Sequence, residues 1–110
     1  MFTKLPWANI EAKADNKKMK KECLRLANHE DSLLKLLPQL EYAFEFDFEK
    51  YVFLATVMPK FFPDLSEVRL RLVPDEVSDS EFWRNYFYHI ELFKLQQGFE
   101  NRLGVKIDEY

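Results

Sequence analysis

Glycine and cysteine are nearly missing from this chain: two glycines and one cysteine in 110 residues. A loop that cradles phosphate needs clustered glycines so that backbone N–H groups can approach the anion, and Gly98 with Gly104 supplies no such loop. A single Cys23 cannot close an internal disulfide, which excludes a stapled secreted scaffold and points to a reducing compartment, the cytoplasm first and the nucleus second. Long apolar runs are missing as well. The longest, YVFLATVM from Tyr51, falls far short of the roughly 20 residues that cross a bilayer, and MFTKLPWANIEAKADNKK offers no apolar stretch for a signal-peptide core.

What is present describes a folded chain. Apolar residues make up 47%, aromatics 16% and charged residues 32%, within a length that suits one domain. The net charge of -3 is unevenly spread: residues 1–37 carry eight Lys or Arg against five Asp or Glu, and the remainder carries eight against fourteen. An acidic main body argues against nucleic acid as the principal ligand. The one basic cluster, KKMKK from Lys17 to Lys21, reads as a solvated helix face.

The periodicity predicts helices. From Glu11 to Ala27, Met19, Cys23 and Leu26 recur at helical spacing among lysines. Asn28 is placed to cap a short second helix carrying Leu33, Leu34, Leu36 and Leu37, ended by Pro38. Tyr42, Phe44, Phe46 and Phe48 alternate as in a strand, but with no second strand to pair with, the segment reads as an extended stretch laying rings into a helical core. The next helix, about Asp47 to Lys60, is apolar nearly all round and belongs at the centre of a bundle, with Pro59 and Pro63 bracketing its exit. A further helix, about Leu65 to Val73, opens with Asp64 and Glu67 at capping-box spacing and stops at Pro74.

The last helix has the strongest start signal. Ser78 and Glu81 form an S-x-x-E capping box, and Val77 and Phe82 stand at hydrophobic-staple positions. From that register Phe82, Trp83, Tyr86, Phe87, Ile90 and Phe93 share one broad face, which reads as core. Tyr88, Leu92, Leu95 and Phe99 make a second apolar face. Either the Met19, Cys23, Leu26 stripe covers it, closing a larger bundle, or part of it stays open as a partner-binding or self-association surface. Gly98 or Gly104 ends the helix.

VPDEVSDSEFWRNYFYHIELFK, Val73 to Lys94, resembles the signature of the BSD domain family, whose hallmark is the Phe-Trp pair, here Phe82 and Trp83, followed by aromatics such as Tyr86 and Phe87. The order of LPW, FEFDFEKY and RLRLVP ahead of FWRNYFY is similar to the synapse-associated branch of that family. The resemblance implies an all-α fold: a BSD-like three-helix bundle extended by an N-terminal helix and a short helix. The expected division is an N-terminal helical extension over 1–46, a BSD domain over 47–97, and a helix end and tail over 98–110. It also implies a noncatalytic module of scaffold or signalling proteins, with no catalytic residue and no cofactor. The transcription-factor branch offers an alternative, a chromatin or nucleic-acid associated module of a transcription or repair assembly.

The residues themselves give no catalytic centre. Cys23 and His29 fall across a helix end with nothing to orient them as a nucleophile and base. Cys23, His29 and His89 lack metal-ligand spacing. Glu45, Asp47 and Glu49 suit a solvated edge or a helix N-terminus. An enzyme is not expected. The expected partner is another protein, as a helix or tail, engaged by an outer ridge of Arg84, Tyr88, Glu91, Leu92 and Leu95. The competing chromatin or nucleic-acid reading uses Lys13, Lys17, Lys18, Lys20, Lys21 and Arg25. Peripheral membrane attachment through the same helix is disfavoured by its narrow apolar stripe, and self-association is left open.

Overall fold

The computed structural model describes residues 5–8, 10–34 and 47–98, which contain five helices and no strand. Helix α1 (Lys13–Ala27) turns Met19, Cys23 and Leu26 inward, and all three are buried together with Ala27. The segment before it is tied down by Asn16, whose Nδ2 donates to the carbonyls of Trp7 at 2.9 Å and Ile10 at 3.3 Å. Trp7 is thereby held edge-on against Phe61 and Phe62, with ring centroids 5.2 and 5.8 Å away.

Asn28 closes α1 instead of opening the next helix. Its Nδ2 donates to the Leu24 carbonyl at 3.1 Å and to Asp64 Oδ2 at 3.0 Å, because the last carbonyls of a helix lack intrahelical donors and a nearby amide answers them. Helix α2 (Glu30–Leu34) starts instead from His29, whose Nδ1 accepts from the Ser32 N–H at 3.3 Å. The expected continuation to Pro38 and the aromatic alternation at Tyr42, Phe44 and Phe46 lie outside the described residues.

Helix α3 (Phe48–Phe61) is capped by Asp47, which accepts from the Glu49 N–H at 3.1 Å. Pro59 falls inside its last turn rather than marking the exit. Helix α4 (Pro63–Leu72) begins with Pro63, whose missing N–H costs nothing in the first turn. The expected Asp64–Glu67 capping box is not made; Asp64 is engaged by Asn28, and α4 has no side-chain cap. Leu65, Val68 and Leu72 form its buried face.

Helix α5 (Asp79–Gln97) has the full capping box, with Glu81 N–H donating to Ser78 Oγ and Ser78 N–H to Glu81 Oε1, each at 3.1 Å. It ends at Gly98, whose φ of 73° is the left-handed conformation that glycine adopts freely. Every residue from Phe82 to Glu91 except Arg84 is buried. This makes α5 the central helix, the place expected for α3. Helices α1 and α2 pack on α5, and α3 meets it through Tyr51 and Phe87, whose rings are 4.9 Å apart. Helix α3 itself leaves Val52 and Phe53 exposed and buries only Tyr51, Leu54 and Met58. Among the described residues no helix is long and apolar enough to cross a membrane.

Candidate functional site

The Phe-Trp pair lies in the interior. Phe82 stands edge-on to Trp83 at 5.1 Å, Trp83 stacks on Phe87 at 5.8 Å, and Tyr86 meets Trp83 at 6.2 Å. All four hallmark residues are buried. Rings this enclosed hold the bundle together and present nothing to a ligand.

The proposed outer ridge is divided. Tyr88 is fully enclosed and Glu91 is buried, so neither faces outward as expected. The reason is the central position of α5: α2 docks on one flank, where Asn85 Nδ2 donates to the Leu33 carbonyl at 2.8 Å, and α3 docks at Phe87 on the other. Arg84, Leu92 and Leu95 are half-buried and reach the surface. Phe99, the last member of the second apolar face, lies outside the described residues.

Leu92 opens onto a cleft of about 240 Å³ between α1 and α5, which sequence reasoning did not assemble. Leu26 and Phe93 join Leu92 along its walls. Arg25 and Glu22 stand at it as a two-pronged ion pair, with Nε–Oε1 at 2.8 Å and Nη2–Oε2 at 2.6 Å. His29, its Nδ1 2.7 Å from Ser32 Oγ, faces it from the α1–α2 junction, and His89 and Gln96 from α5. Leu92 and Gln96 are four residues apart, and Glu22 and Arg25 three, so each wall is legible as a helix face. Their pairing across the cleft comes from α1–α5 packing, which leaves no short-range signal.

The residues weighed for chemistry fall apart. Cys23 is buried, and burial pushes its thiol far above the range in which a thiolate forms, away from nucleophilic use. Asp47 and Glu49 are exposed at the start of α3, and Glu45 lies outside the described residues. A different carboxylate stands out. Glu91 is enclosed with no hydrogen-bond partner on either oxygen among the described residues, and desolvation lifts it to about 7 while nearby Lys94 pulls it down.

The family model of the BSD domain matches residues 42–98, more than half of the chain. The chain belongs to the BSD domain family. Mouse Synapse-associated protein 1 is 35% identical to it over 89 residues, which cover 81% of this chain and 23% of the mouse protein. The chain thus spans about a quarter of the length of that curated relative. No solved structure matches it. In this BSD domain the aromatic signature specifies the packing around α5, and the cleft beside it is built jointly by the family-matched helix and by α1, which precedes the match.

Proposed function

We propose that this BSD domain is a noncatalytic protein–protein interaction module of a scaffold or signalling protein, working in the cytoplasm and also in the nucleus. The α1–α5 cleft receives an apolar side chain from a helix or tail of the partner, and Arg84, Leu92 and Leu95 extend the contact along α5. The observation that carries this reading is the composition of the cleft: half-buried Leu92 and Phe93 beside the Glu22–Arg25 ion pair. An apolar centre with a charged rim is the anatomy of a protein interface.

The test is affinity capture with the intact chain beside a Leu92→Ser, Leu95→Ser variant shown by circular dichroism to be folded. An anchor at the centre of an interface is worth about 2 kcal/mol, roughly thirtyfold in affinity, so proteins retained by the intact chain are lost from the variant. Recovery of the same proteins in the same amounts by both rejects the cleft as the interface.

A further inference from the structure

Helix α1 carries Lys13, Lys17, Lys18, Lys20 and Lys21, all exposed. At 3.6 residues per turn they span an arc of roughly 160° centred opposite the buried Met19–Cys23 stripe. Asp15 and Glu22, the two acids of the helix, fall outside that arc. Among the described residues none of the five lysines makes a salt bridge, Lys18 donating instead to the Gln97 side-chain carbonyl, and a concavity of about 450 Å³ lies against Lys13, Lys17, Lys18 and Lys21. Apolar groups border this face. Leu24 is 43% exposed within the arc, and Phe61 is 54% exposed at the end of α3. Phe61 is next to the lysines because Lys20 Nζ sits 5.5 Å over the Trp7 ring, which in turn contacts Phe61.

We infer that the lysine face of α1, with Phe61 and Leu24 at its edge, docks on an anionic lipid membrane. Charge complementarity selects an anion, and the composition selects its kind. Arg25 also falls within the arc, but Glu22 holds its guanidinium in a two-pronged ion pair, so the arc's cations without a carboxylate partner among the described residues are the five lysines, point charges suited to a diffuse negative surface rather than forked donors matched to individual phosphates. Half-exposed phenylalanine and leucine gain from immersion among headgroups. Nucleic acid would satisfy the lysines but leave these side chains without a matching surface. The inward stripe of α1 stays in the core, so the helix adsorbs without leaving the bundle.

Each lysine close to an anionic leaflet strengthens adsorption roughly fivefold. The experiment is cosedimentation of the full chain with vesicles of phosphatidylcholine alone and of phosphatidylcholine with phosphatidylserine. Binding is expected only to the second and is expected to weaken as salt is raised. A Lys13→Gln, Lys17→Gln, Lys21→Gln variant, whose changes are all on the surface, is expected to lose roughly a hundredfold. Phe61→Ala is expected to lose several-fold; thermal melting confirms that both variants fold. Equal binding to the two vesicle types, no binding to either, or unchanged affinity in either variant overturns the inference. So does tighter binding to duplex DNA than to anionic vesicles in the same buffer, which would make the face a nucleic-acid platform.

Discussion

The phenolic hydroxyl of Tyr86 on α5 donates a 3.0 Å hydrogen bond to the backbone carbonyl of Cys23 on α1, joining residues 63 apart in sequence. Both residues are buried, so the bond fixes the register of α1 against the central helix and positions the stripe that closes one side of the core. Replacing Tyr86 by Phe keeps the ring and removes only the donor. The expected loss is about 1 kcal/mol, the usual net worth of an internal hydrogen bond, read as a lower urea midpoint with unchanged slope.

Trp83 has the opposite character, with its contribution in packing. It meets Phe82 edge-on and stacks on Phe87. Trp83→Ala is expected to cost about 3–5 kcal/mol, against a total of about 5–15 kcal/mol for a domain of this size. Thermal melting by circular dichroism should show a large drop in midpoint or loss of the cooperative transition. A shift of only a few degrees would mean that the ring is not part of the core.

Asn85 is the polar counterpart. Its side chain is buried and donates to the Leu33 carbonyl, pinning α2 to α5. Asn85→Ala removes the donor and leaves a buried gap, at an expected cost of about 1–3 kcal/mol. Hydrogen exchange should show the effect concentrated in α2, with faster exchange there than in α4.

Glu91 makes stability depend on pH, and the sign follows from burial. Its carboxyl is raised from 4.5 to about 7 in the folded chain. The charged and titratable groups around it are Lys94 on its own helix and Tyr51 from α3, with Cys23 of α1 near Lys94. Below about pH 4.5 the group is protonated in both states. As pH rises from there to about 7, the unfolded chain releases a proton that the folded chain retains, so this contribution is lost through that window, by about 3 kcal/mol in total. Chemical denaturation from pH 4 to 8 should show the loss in the wild type relative to Glu91→Gln, which lacks the titration. Parallel curves would place Glu91 in water.

The legibility of the sequence followed the range of the interactions. The α5 cap was readable because Ser78, Glu81 and the hydrogen bonds between them lie within one turn, and the Phe82–Trp83 face was readable because helical periodicity is local. The aromatic string also carried the family resemblance that the BSD match bears out. Asn28 closes α1 rather than opening α2 because its choice between the two helices depends on Asp64, 36 residues away. The burial of Tyr88 and Glu91 is not legible, because a helix wheel shows that a second apolar face exists, not which neighbours enclose it. The central place of α5 is hidden for the same reason. A helix apolar all round fits a centre, but α1 and α2 packed on α5 instead.

The central claim, that the domain works by binding protein at the α1–α5 cleft, is tested most directly by photo-crosslinking from inside it. A photoreactive phenylalanine at Gln96, which lines the cleft and is exposed, is compared in cell extract with one at Leu70, which is 74% exposed on α4. Discrete adducts to partner protein from position 96 and none from position 70 are predicted. Adducts from position 70 alone, or none from position 96, would contradict the account.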